Sequence, residues 1–157
     1  MKILIIEDDM NKLKQLVDFI AEIRNESQIT EKYSYQSGLR EIYSYSHELI
    51  ILDMSLPSFD KTPTETGGRP RKFAGRELLR QMKRKNINIP VIIVTQFDKF
   101  GEGEDTITLP QLVDELKNEY ASIFFGLVYY NTAYKNWRDE FGLLLSKGSL
   151  VQLNKGG

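Results

Sequence analysis

The chain has 157 residues, 41% of them hydrophobic, a formal net charge of -1 and no cysteine. That length fits one domain with a single sizeable core. The near-neutral charge argues against nucleic-acid binding driven by bulk charge, and the missing thiols exclude disulfides, thiol nucleophiles and thiolate metal sites.

Strand and helix patterns alternate from the first residues. Met1-Lys2 leads straight into an apolar run, Ile3 to Ile6, with no secretory signal pattern, and the run ends in Glu7-Asp8-Asp9. Leu13, Leu16, Val17, Ile20 and Ile23 then recur at helical spacing, with Lys12, Lys14, Asp18 and Glu22 between them. Ile29 to Tyr33 alternates with polar residues as an edge strand does, and Ser37 to Tyr45 reads as a short second helix. His47 has no second histidine or cysteine as partner and reads as a surface residue. Leu49 to Leu52 is a third-strand run that ends in Asp53.

Ser58 to Ala74 is a polar loop with Pro63, Gly67-Gly68 and Pro70. Gly75 to Lys85 resumes the helical period through Leu78, Leu79 and Met82, and Pro90 marks entry to the strand Val91 to Thr95. A second long polar connection, Phe97 to Thr108, ends in Thr108-Leu109-Pro110, an N-cap followed by proline in the first turn of a helix. Ile123 to Tyr130 is the fifth strand. A last helix carries Trp137, Phe141, Leu144 and Leu145 on one stripe and is expected to stop at Lys147-Gly148. Residues 1–147 thus form one domain and 148–157 a flexible tail. The apolar runs are too short for a bilayer, which with the missing signal predicts a soluble cytoplasmic protein.

A strand-helix unit repeated five times, with right-handed crossovers, gives a doubly wound α/β sheet. Strands buried on both faces read as continuous Ile, Leu and Val, and ligands collect beyond their carboxyl ends. Glu7, Asp8, Asp53 and Thr95 then share one crevice.

The combination IIEDD after the first strand, ILDMSLP at the third and VIIVT at the fourth resembles the receiver domain of two-component response regulators, over roughly residues 1 to 147. The resemblance implies a flavodoxin-like five-stranded parallel sheet of order 2-1-3-4-5, here with an extended loop after strand 3. Asp53, fixed at the end of a buried strand, can attack a phosphoryl group to form an acyl phosphate. Clustered carboxylates repel, and a hard divalent cation relieves them: Mg²⁺, with Asp8 as direct ligand, Asp53 beside it and Glu7 acting through water. By resemblance the main-chain carbonyl of Ser55 completes the protein ligands. Thr95 can donate its hydroxyl to a phosphoryl oxygen as the switch residue. The competing account is local: acids before a helix are favoured by the dipole and by capping, and Asp53 and Thr95 can simply end their strands.

The chain departs from the receiver pattern in three places. Family members carry a lysine followed by proline after the fifth strand, whereas this chain reads Leu127-Val-Tyr-Tyr-Asn131-Thr-Ala, with no lysine until Lys135. Asn131 or Tyr130 takes that place, and neither carries a positive charge. Gln96, after the switch threonine, is long where the family has a small residue. The loop after Pro57 is lengthened by roughly a dozen residues, a length that goes with function or disorder. It holds Lys61, Arg69, Arg71 and Lys72, any of which could swing a cation over the site.

The expectation is therefore a single-domain receiver, a signalling domain and not a conventional enzyme, phosphorylated on Asp53 with Mg²⁺ by a histidine kinase or phosphotransfer protein. With no room for a DNA-binding output domain, its output is a contact with an unidentified downstream protein, with no nucleic acid or membrane as partner and homodimerisation left open. The alternative is a pseudo-receiver that keeps the fold as a docking module without efficient phosphotransfer. A haloacid-dehalogenase-like phosphatase is rejected, because it needs a second acid two residues after its nucleophile and that position is Ser55.

Overall fold

The computed structural model describes residues 1–133 and 136–156. Five parallel strands, β1 (Lys2–Ile6), β2 (Gln28–Lys32), β3 (Leu49–Leu52), β4 (Val91–Thr95) and β7 (Phe124–Tyr129), form a sheet of order β2-β1-β3-β4-β7. This is the flavodoxin-like doubly wound order, with β7 as its fifth strand. No helix among the described residues is long and apolar enough to cross a membrane.

The continuous apolar runs are explained by what covers each face. Successive strand side chains point to opposite sides, so each central strand needs apolar residues at every position. Ile3, Ile5, Ile51, Ile92 and Val94 pack against α1 (Met10–Ile23) and α5 (Asn136–Gly156) through Leu16, Ile20 and Phe141. Leu4, Ile6, Ile50, Leu52 and Ile93 face α2 (Tyr35–Ile42), α3 (Ala74–Arg84) and α4 (Leu109–Glu119) through Ile42, Leu78, Leu112 and Leu116. β2 is paired on one side only, which is why its pattern is half polar. Thr108 is the N-cap of α4, as the Thr-Leu-Pro motif predicts, and the structure adds a capping box with Gln111.

Four local expectations are corrected. The Phe97 to Thr108 connection is not irregular throughout: β5 (Lys99–Phe100) and β6 (Ile107–Thr108) pair as a short antiparallel ribbon across a 3₁₀ turn at Gly103–Asp105. Two-residue strands are too short to leave a period in sequence. The second helix starts earlier and ends at Ile42, because the Ser34 hydroxyl accepts from the Ser37 N–H as its N-cap. α5 does not stop at Lys147-Gly148 but continues to Gly156, since a single interior glycine costs only about 1 kcal/mol. His47 is not a surface residue: it is buried, with its Nε2 2.8 Å from Glu41 Oε1.

The loop from Ser58 to Phe73 is tied down by non-local bonds. Leu56 and Arg71 exchange both backbone hydrogen bonds, the Ser58 hydroxyl donates to the Arg69 carbonyl, and the Phe59 N–H donates to the Gly67 carbonyl. Gly67 and Gly68, at φ +95 and +74, turn the chain where a side chain at position 68 would collide with the Phe59 ring.

Candidate functional site at the carboxyl edge of the sheet

β1 and β3 are neighbours with Ile6 opposite Leu52, so the residues that follow, Glu7 and Asp53, leave the sheet side by side. Asp8 joins them: Glu7, Asp8 and Asp53 each offer a carboxylate oxygen within 4.8 Å of the others. Asp53 is held in direction from both sides. Its N–H donates to the Ile6 carbonyl and its Oδ1 accepts from the Met54 N–H at 2.7 Å. Asp9 is spent locally, capping α1 by accepting from the N–H groups of Asn11 and Lys12, which is what acids ahead of a helix ordinarily do.

The unforeseen member of the site is Lys12, only 1% exposed. Its ammonium stands 2.8 Å from Glu7 Oε2 and 3.3 Å from Asp53 Oδ2, and it donates to the Val94 carbonyl at 2.6 Å. Three donors meet three acceptors, one from the carboxyl end of each central strand. The Tyr130 ring lies 6.0 Å from the ammonium. Part of the carboxylate repulsion assigned above to a metal is thus relieved by the chain itself. The signal was present in the sequence: Lys12, Leu16 and Ile20 lie at i, i+4 and i+8, so the lysine falls on the buried stripe, whereas Lys14 and Asp18 pair on the exposed face.

Burial dominates the electrostatics. It pushes the Glu7 carboxyl up to about 8; the Lys12 ammonium opposes the shift and Asp53 adds to it. Burial also raises Asp53, against the pull of Lys12. For Lys12 burial acts downward but is outweighed by the two carboxylates, so the ammonium is held above its ordinary range. Burial and the shared ammonium thus oppose one another at both carboxyls, and burial prevails at each.

Above these groups a cavity of about 340 Å³ opens, lined among others by Asp8, Asp53, Ser55, Lys61 and Gln96. Three carboxylates and one ammonium, all ionised, carry a net charge of -2 (three negative, one positive), and the donors are hard oxygens facing an open space. That set fits a divalent cation of the Mg²⁺ or Ca²⁺ kind. Thr95 is fully buried at the end of β4 with its hydroxyl oxygen accepting from the Phe97 N–H; Gln96 and Phe97, which follow it, form that wall of the cavity.

The remaining candidates disperse. Asn131 closes a local turn by accepting from the Ala133 N–H and lines a neighbouring cleft with Lys12, Tyr129 and Tyr130. Lys135 lies outside the described residues. Arg71 stacks on the Tyr35 ring at 4.2 Å and pairs with Glu77, and Lys72 pairs with Glu102. The loop cation that does reach the cavity is Lys61, 3.5 Å from Asp8 and well exposed.

No family model matches the chain. It is 32% identical over 142 residues to the Detocs response regulatory protein DtcB of Enterobacter cloacae, covering 89% of this chain and 95% of that protein. Over 141 residues it is 36% identical to the uncharacterized protein y4jR of Sinorhizobium fredii, covering 88% and 92%. Among solved structures it superposes on the signal receiver domain of an HD domain-containing protein from Pseudomonas fluorescens with a TM-score of 0.64 at 16% identity, covering 98% of this chain and 97% of that one.

Proposed function

Because the chain belongs to the receiver-domain family of response regulators, we propose that it is a phospho-switch: Asp53 accepts a phosphoryl group from a histidine kinase or phosphotransfer protein, and the altered surface is read by a downstream protein. The observation that carries this reading is the fixed Asp53 carboxylate beside Glu7 and Asp8 on the floor of an open cavity. Asp8, Asp53 and the Ser55 carbonyl would hold Mg²⁺, with Glu7 acting through water. When bound, the ion shields the carboxylates and draws charge from phosphoryl oxygens. Asp53 attacks phosphorus through one carboxylate oxygen, and the hydrogen bond from Met54 holds the other. Thr95 would exchange its contact with the Phe97 N–H for a phosphoryl oxygen, and so move the wall that Gln96 and Phe97 form.

Incubation with acetyl phosphate and Mg²⁺ is expected to add one phosphoryl mass to the wild type, in a base-labile form, and none to Asp53→Asn. A gain that persists in Asp53→Asn would overturn the assignment. A second reading is favoured by the Lys12–Asp53 ion pair and by the uncharged Tyr130-Asn131 after the last sheet strand: a pseudo-receiver that binds partners without phosphotransfer. No adduct in the wild type with any competent donor would select it. Mg²⁺ well above its dissociation constant should stabilise the protein by about 1–2 kcal/mol through linkage, and Asp8→Ala should remove that gain. An unchanged response in Asp8→Ala would place the ion elsewhere.

A further inference from the structure

We infer that Lys12, on the first helix, supplies the positive charge at the phosphoryl site that receiver domains otherwise take from the end of the last sheet strand. This rests on the phospho-switch reading. Tyr130 to Ala133 offers no cation, Arg71 and Lys72 are engaged with Glu77 and Glu102, and Lys61 sits on Asp8 at the exposed mouth with 59% of its side chain in solvent. Among the described residues, only Lys12 places an ammonium within 3.3 Å of the carboxylate that would carry phosphorus.

Its position is set in advance. The Asp9 cap fixes the Lys12 backbone N–H, and the helix is anchored by Leu13, Leu16 and Ile20 in the core. Little reorganisation is therefore needed when charge arrives. In the transfer from acetyl phosphate, a bond forms between an Asp53 carboxylate oxygen and phosphorus. The bond from phosphorus to the acetyl oxygen breaks, and acetate leaves with the electron pair. Asp53 loses its negative charge in the acyl phosphate, and the new charge resides on the phosphoryl oxygens. Lys12 gives up no proton; the N–H that faced Asp53 Oδ2 turns to a phosphoryl oxygen, while Glu7 and the Val94 carbonyl keep the ammonium in place.

A structural clamp and a phosphoryl-binding cation make different predictions for Lys12→Met, which keeps the stem and removes the charge. With Mg²⁺ present, fluoroberyllate, a phosphoryl mimic, should bind Lys12→Met more weakly by on the order of 10²-fold. Mg²⁺ alone, titrated calorimetrically, should bind the variant at least as tightly as the wild type, because a competing cation has gone. Unchanged fluoroberyllate affinity, or parallel loss of both ligands, would overturn the inference. A measurement on the wild type needs no variant: bound fluorines should show an NMR Overhauser contact to the Lys12 ε-methylene protons, and its absence would also overturn the inference. If the wild type is phosphorylated on Asp53 yet Lys12→Met binds fluoroberyllate normally, only the role of Lys12 fails. If the wild type gains no phosphoryl mass and binds no fluoroberyllate, the phospho-switch reading itself falls and the inference with it.

Discussion

Metal-free protein should lose stability as pH rises from about 5 to about 8, the reverse of the usual course for an ion-paired carboxylate. The cause is Glu7, whose carboxyl is moved by burial from an ordinary 4.5 to about 8. Between those values the folded state holds a proton that the unfolded state has released. The slope of unfolding free energy with pH is set by protons bound unfolded minus protons bound folded, so it is negative across the window. The contribution is complete below about 4.5 and is lost as pH passes through about 8. Asp53, also raised by burial, acts in the same direction. Lys12 is raised from 10.5 and adds no slope there, since it is charged in both states throughout the window. One proton held across this window should change stability by on the order of 4 kcal/mol, at ~1.4 kcal/mol for each pH unit of its width. Chemical denaturation across a pH series in the presence of a chelator measures it, and Glu7→Gln should flatten the curve. Stability that rises steadily over the same range would mean that Glu7 stays ionised on Lys12.

The parts of this molecule that read clearly in sequence are those fixed by burial on both faces. The runs ending at Ile6, Leu52 and Thr95 allow no polar side, so they could only be central parallel strands, and their order places Glu7, Asp8 and Asp53 together. Lys12 was hidden by its chemistry: a lysine between apolar helix positions reads as a solvated side chain, and only its register with Leu16 and Ile20 betrays its burial. The loop after β3 was illegible because its order comes from partners distant in sequence. Ser37 reaches Asp60, and Leu56 pairs with Arg71. For the same reason its cations could not be assigned. Of Lys61, Arg71 and Lys72, the one that meets the acidic cavity is selected by where the Gly67-Gly68 turn folds the loop back, not by composition.

On the phospho-switch reading proposed above, Gly75→Val should cost about 1–3 kcal/mol of stability and slow Asp53 phosphorylation beyond what that loss alone causes. Gly75 is the second residue of α3, and its N–H donates to the Met54 carbonyl, so the start of the helix is bonded to the segment that holds Asp53. A Cβ there would stand 2.9 Å from Leu52 Cδ1, 3.1 Å from the Asp53 carbonyl oxygen and 3.2 Å from Met54 Cα. Two of these three neighbours are backbone and cannot swing aside, so the strain must be relieved by moving the helix or by moving Asp53 itself. Either movement disturbs the short bond from Met54 N–H to Asp53 Oδ1 and the Lys12 contact at Oδ2. Gly142→Ala is the matched control. Its Cβ would meet only the Phe19 ring, at 3.6 Å, and replacing a helical glycine should stabilise the protein by a few tenths to about 1 kcal/mol with no change in phosphorylation rate. Denaturation midpoints and acyl-phosphate yield, measured on both variants, separate the two effects. Equal phosphorylation rates in Gly75→Val and wild type, despite the lost stability, would show that the α3 contact does not position Asp53.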